Sequence, residues 1–103
     1  MKLFIENPSE TVVTLFRRAG YSFQREEGSE VSFVRPLGSS GYPRFHCYTK
    51  SQPGSIECSI HLDQKRETYG RNTRHHGEYS DDGALADEVL RIEPLIGVTR
   101  KTA

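Results

Sequence analysis

The sequence predicts an α+β domain in which a four-stranded antiparallel sheet carries two helices on one face. Helix-spaced apolar residues occur near both ends of the chain, around residues 12–19 and 84–92, and four segments with alternating apolar and polar residues lie between them. Consecutive strands separated by short turns form sequential hairpins, so the predicted order is α-β-β-β-β-α in a meander. The two apolar helix stripes must be buried on one sheet face, which leaves the opposite face polar.

The first helix has a clear beginning and end. Asn7 is the predicted N-cap, Pro8 suits the first helical position, Glu10 can complete a capping box, and Gly20 is the predicted stop. Its apolar residues recur at helical spacing: Val12, Leu15, Phe16 and Ala19. Residues 2–5, which precede it, predict either a short edge strand or an apolar cover for this helix.

A first hairpin is predicted from residues 21–25 and 30–35. Tyr21 and Phe23 alternate with polar residues in the first arm, and Val31 and Phe33 do so in the second. The turn residues around Gly28 separate the two arms.

A second hairpin spans residues 42–65, and its alternation leaves two registers open. In both registers the apolar residues, including Cys47 and Cys58, point to the core side of the sheet. Both registers also place His46 and His61 on the polar side. A four-residue loop over 51–54 pairs Cys47 with Cys58, whereas a Pro53-Gly54 turn pairs His46 with His61. We favour the longer loop, because two-residue hairpin turns prefer a positive φ where proline fixes a negative one.

Residues 64–83 show neither the helical nor the strand periodicity of apolar residues, and an irregular run of this length is usually functional or disordered. Asp81 or Asp82 then caps a helix whose apolar face carries Leu85 and Val89, and Pro94 is predicted to end it. Residues 1–93 therefore form a single predicted domain, with 94–103 as a flexible tail.

Composition limits the cellular compartment and the binding partners that we expect for this protein. The 103 residues contain 14 basic and 14 acidic side chains, so no overall charge favours nucleic acid or membrane. We expect no membrane contact and a cytoplasmic location, because no long apolar run or signal-peptide pattern occurs. In a reducing compartment the two cysteines are expected to be free, buried thiols.

Nucleic acid, specifically RNA, is the partner that the local charge pattern favours. Residues 35–74 hold seven lysine or arginine residues against three acidic ones, a surplus of four. Arginine and lysine bind phosphates, and tyrosine rings stack on bases. The candidate binding residues are Arg44, Tyr48, Lys65, Arg66, Tyr69, Arg71 and Arg74.

Histidines and carboxylates on the polar face suggest two further kinds of site. A divalent metal such as zinc or manganese would take nitrogen and carboxylate ligands, for which the candidates are His61, Asp63, His75 and Glu78. Without a metal, His46 and His61 are candidates for a general acid and general base in RNA cleavage. Arg44 and Lys65 would then stabilise the charge that develops on the phosphate.

The segment AGYSFQREEGSEVSFVRPL, which follows the first helix, resembles the start of HicA-type RNA-cleaving toxins. This resemblance implies a double-stranded-RNA-binding-like (dsRBD-like) fold of helix, three strands and helix. In those toxins a catalytic histidine follows the Gly-Ser of the turn, and Glu30 occupies that position here.

A second resemblance covers residues 17–79. The strings RRAGY, FVRPLG, YPRFH, HLDQK and HHGEY are similar, in this order, to a group of small uncharacterised bacterial proteins, in which the HxGEY element carries a single histidine where this chain has His75. No activity comes with that group.

We therefore expect an RNA-associated binding module that uses the polar sheet face and the 64–79 loop. Two alternatives are a small metal- or histidine-dependent hydrolase or nuclease that uses His46, His61, Asp63 and His75, and a protein–protein interaction module without chemistry.

Overall fold

The computed structural model describes residues 1–64 and 81–100 of the chain. In chain order these residues form β1 (Lys2–Glu6), α1 (Val12–Arg18), β2 (Ser22–Glu27), β3 (Glu30–Pro36), β4 (Arg44–Gln52), β5 (Ser55–Asp63), α2 (Asp81–Ile96) and β6 (Val98–Arg100). The protein is therefore an α+β protein, as the sequence predicts. None of the helices in these residues is long and apolar enough to cross a lipid bilayer.

The strands form one antiparallel sheet in the order β2-β3-β4-β5-β1-β6. The predicted meander is present as the four neighbours β2 to β5, but the prediction that the sheet has only four strands is wrong. Residues 2–6 are not an edge strand either, since β1 lies between β5 and β6. The order also differs from the helix, three strands, helix pattern of HicA-type toxins, because one strand precedes α1 and another follows α2.

Both helices bury their apolar residues against one face of the sheet. The ring of Phe16 from α1 stacks on Phe33 of β3 with 4.8 Å between ring centroids. Val89 and Ile92 of α2 are fully buried in the same core. Cys47 and Cys58 are free thiols in this core, as the strand alternation predicts.

The first helix begins later than predicted and ends where predicted. Its N-cap is Thr11, whose hydroxyl accepts a hydrogen bond from the Thr14 N–H at 3.3 Å. Asn7 is not the cap, because its N–H donates to the carbonyl of Gly54 at 2.8 Å and its φ is 49°. At the C-terminal end the N–H of Gly20 bonds to Arg17 and that of Tyr21 to Phe16, the pattern of a glycine-terminated helix.

The second hairpin adopts the register that we did not favour. His46 lies opposite His61, Cys47 lies opposite Ile60, and a two-residue Pro53-Gly54 turn joins the strands. Gly54 has a φ of 79°, which places the positive φ at the second turn residue and leaves proline at the first, as in a type II turn. The preference for the longer loop was wrong because it considered only the primed turns.

The second helix continues through Pro94 to Ile96, so proline does not end it. An interior proline costs a helix about 3 kcal/mol, but Ile96 is 4% exposed in the core and the following β6 pairs with β1. Gly97, with a φ of 77°, turns the chain into that strand. Regular secondary structure thus continues past residue 93, the predicted end of the domain.

Candidate functional site

The sheet face that points away from both helices is the candidate site, and we call it the open face. Strand registers and side-chain burial assign its residues on the four neighbouring strands β3, β4, β5 and β1. Its polar and aromatic members are Lys2, Phe4, Glu30, Ser32, Arg44, His46, Tyr48, Lys50, Glu57, Ser59, His61 and Asp63. The prediction that His46 and His61 share one face is confirmed, since the two residues are direct cross-strand partners.

His46 is the buried centre of a hydrogen-bonded network on this face. The residue is 6% exposed, its Nδ1 lies 3.3 Å from Asp63 Oδ2, and its Nε2 lies 2.8 Å from Gln24 Oε1. Ser32 donates to the same Gln24 oxygen at 2.8 Å. The side chain of His46 therefore connects β2, β4 and β5 across the sheet.

The protonation of His46 and the orientation of the Gln24 amide depend on each other. Burial lowers the pKa of His46, although the Asp63 carboxylate acts in the opposite direction. A neutral ring that donates from Nδ1 to Asp63 presents an acceptor at Nε2, so the amide must turn its NH2 group towards it. In that orientation the NH2 group also donates to the Ser32 hydroxyl, whereas in the orientation present in the structure Ser32 donates to Gln24 Oε1.

Gln24, which the alternation of residues 21–25 already places on the polar face, lies at a β-bulge. The register between β2 and β3 shifts between Phe23 and Arg25, so that Phe23 lies opposite Phe33 and Arg25 lies opposite Ser32. The extra residue, Gln24, reaches the open face and His46. Sequence reasoning missed this contact, because the alternation of residues 21–25 does not show which distant side chain Gln24 meets.

Tyr48 is the aromatic centre of the open face. Its ring lies 4.4 Å from the ring of His46 and meets that of His61 edge-on at 5.8 Å. Partial burial, followed by the charges of Asp63 and Glu30, raises its pKa. The ring is half-buried, so one part of it remains available to a ligand.

Two shallow depressions adjoin Tyr48, and both are also lined by Glu30. The first, of about 110 Å³, is completed by Lys2, Lys50, Glu57 and Ser59. The second, of about 120 Å³, is completed by Arg25, Glu27 and Ser32. The open face therefore offers a ring with charged and hydroxyl groups around it.

Many of the charges on this face are already paired. Arg44 donates from Nε to Asp63 at 3.2 Å and lies 4.6 Å above the ring of Tyr42. Lys2 is 2.9 Å from Glu57. Within residues 1–64 and 81–100, the side chains of Glu30 and Lys50 make no hydrogen bond and no ion pair within 4.0 Å, although both line a depression beside Tyr48.

The two histidines of the predicted acid–base pair lie together on one face, but one of them is held by hydrogen bonds. His46 uses both ring nitrogens inside the network. His61 is exposed, with Nε2 3.4 Å from the Ser59 hydroxyl, and the Tyr48 ring contacts both histidines. A catalytic role for His46 and His61 stays a prediction, and the geometry gives His46 the contacts of a positioning group.

Two of the predicted metal ligands and most of the predicted phosphate ligands lie outside the described residues. His61 and Asp63 are described, but His75 and Glu78 are not, and neither are Lys65, Arg66, Tyr69, Arg71 and Arg74. Among the described residues no group of three or more histidine, cysteine or acidic side chains is arranged to hold a metal ion. A zinc or manganese site therefore stays a prediction.

Comparison of the chain with models of protein families, with curated proteins and with solved structures found no match. The two family resemblances suggested by the sequence therefore stay predictions.

Proposed function

We propose that the protein is a binding module for single-stranded RNA and that the open face is its binding surface. The observation that carries this proposal is the half-buried ring of Tyr48 in the middle of a sheet face, beside two depressions and away from both helices. Single-stranded bases stack on aromatic side chains of such surfaces, and each stacked base contributes about 1–3 kcal/mol.

Two lysine side chains near Tyr48 can attract a negatively charged strand. Lys50 is exposed and unpaired within the described chain, and Lys2 is exposed although it contacts Glu57. Lys50 on β4 and Lys2 on β1, with β5 between these strands, both line the first depression and place positive charge beside the ring. The sequence adds Lys65, Arg66, Arg71 and Arg74 directly after β5.

Binding of a fluorescein-labelled uridine-rich RNA, measured by fluorescence anisotropy over a series of salt concentrations, tests the proposal. The affinity should fall linearly with the logarithm of salt concentration, because phosphate contacts release counterions. Absence of binding at low salt, or an affinity that does not respond to salt, would refute the proposal.

Two variants of one residue separate stacking from general charge attraction. Tyr48→Leu removes the flat ring and should weaken binding by about tenfold or more, while Tyr48→Phe should retain it. Lys50→Ala should reduce the salt slope, whereas Arg17→Ala, which removes an exposed arginine from α1, should leave the slope unchanged. Thermal melting of each variant verifies that it is folded.

A further inference from the structure

We propose that the depression shared by Tyr48, Glu30 and Lys50 takes a guanine base, so that the module prefers guanine within a single strand. This inference rests on the proposed function and adds a base preference to it. It starts from two charged side chains of opposite sign, neither of which forms an ion pair within the described residues, beside one half-buried ring, a juxtaposition that phosphate binding alone does not explain.

The acidic side chains of the depressions disfavour a phosphate. Glu30 lines both depressions, Glu57 lines the first and Glu27 the second. A phosphate placed there would meet like charges at short range, which is unfavourable. A neutral base with N–H donors has no such penalty, so the ring of Tyr48 and its surroundings are suited to the base rather than to the backbone.

The order of donors and acceptors selects guanine among the bases. Glu30 and Lys50 are direct partners across β3 and β4 and both line the first depression, so a carboxylate and an ammonium group border the same space. The Watson–Crick edge of guanine presents N1–H and the N2 amino group as adjacent donors, followed by the O6 acceptor. A carboxylate accepts two parallel N–H bonds and an ammonium group donates to O6. Adenine presents an acceptor at N1 and a donor at N6, the reverse of what this pair requires.

The test compares uridine oligomers that carry one central guanosine, inosine or adenosine, with affinity measured by fluorescence anisotropy. The guanosine oligomer should bind about tenfold more tightly than the adenosine oligomer, as expected for one bidentate contact. Inosine lacks the N2 amino group but keeps N1–H and O6, so its oligomer should bind with intermediate affinity.

The variant Glu30→Gln should abolish this preference, because an amide cannot accept both N–H bonds. The Glu30→Gln variant should bind the all-uridine oligomer at least as tightly as the native protein does, since the substitution removes a negative charge. Glu26→Gln is the matched control: it makes the same change at an exposed glutamate of the same hairpin that does not line either depression, and the guanine preference should persist.

Free 5′-GMP and 5′-AMP, tested as competitors, distinguish the possible outcomes. Equal binding of all three oligomers would overturn the guanine site and leave the RNA-binding proposal in place. Binding of 5′-GMP over 5′-AMP without binding of any oligomer would support the guanine site and overturn the RNA-binding proposal. Absence of binding by every oligomer and by both nucleotides would overturn both.

Discussion

Replacement of Glu88 by alanine should destabilise the protein strongly, although this residue lies away from the open face. Its carboxylate is 3% exposed and accepts hydrogen bonds from the Tyr21 hydroxyl at 2.7 Å, from Arg35 at 3.2 Å and from Arg91 at 2.9 and 3.0 Å. Arg91 also donates to the carbonyl of Ala19 at 2.7 Å. One carboxylate thus ties α2 to the end of α1 and to β3.

The expected loss of stability is the sum of several contributions, some of which are reduced by contact with solvent. The buried Tyr21 hydroxyl would lose its partner, which costs about 1–3 kcal/mol. Breaking a fully buried ion pair costs about 3–5 kcal/mol, but the side chains of Arg35 and Arg91 are 28% and 36% exposed and water can solvate them in part. We therefore expect Glu88→Ala to lower the free energy of unfolding by about 3 kcal/mol, a large part of the ~5–15 kcal/mol typical of a domain.

Urea denaturation followed by circular dichroism measures this loss. With a slope of about 1.5 kcal/mol per molar urea, the midpoint should fall by about 2 M. Asp87→Ala, at an exposed position one residue earlier in α2, should change the free energy of unfolding by less than about 0.5 kcal/mol. Equal costs for the two substitutions would refute the role assigned to the buried carboxylate. A double-mutant cycle with Tyr21→Phe isolates the tyrosine contact.

Four further substitutions give predictions whose direction is fixed. Burial, then the hydrogen bond to Glu88, raises the pKa of Tyr21 far above its ordinary value near 10. The unfolded chain therefore loses this proton first, the free energy of unfolding should fall as the pH rises above about 10, and urea titrations of Tyr21→Phe should show a smaller fall. Burial lowers the pKa of His46, so the unfolded chain binds that proton more readily and stability should fall as the pH drops below about 6.5. An unchanged acid slope in His46→Gln would contradict this assignment. Gly54→Ala places a side chain at a residue with a φ of 79°, in a position where its Cβ would meet no atom within 4 Å. Thermal melting should therefore show a loss of stability of about 1–2 kcal/mol that comes from backbone strain alone. Gly83→Ala, in α2 with equally open space, should instead stabilise by about 0.5–1 kcal/mol.

Local periodicity was sufficient to predict the class of fold and the segregation of the sheet faces. The alternation through Phe45 and Cys47 predicted which side chains enter the core, and it placed His46 and His61 together whichever register formed. This prediction was robust because a two-residue change of register leaves every side chain on the same face. Helical spacing and Gly20 likewise predicted the end of α1.

The same periodicity was unable to predict pairings between distant segments. The placement of β1 between β5 and β6 depends on pairing with residues that lie about fifty or more positions away. The contact of Gln24 with His46 and the burial of Glu88 beside Tyr21 arise in the same way.

The sequence by itself therefore determined the approximate positions of α1 and α2, the segments that alternate and the face of the sheet that is polar. Only the tertiary structure decided the number of strands, the hairpin register and the hydrogen-bond partners of the buried polar side chains. The physical reason is that periodicity depends on neighbours along the chain, whereas strand pairing and buried polar groups are satisfied by partners that only folding brings within reach.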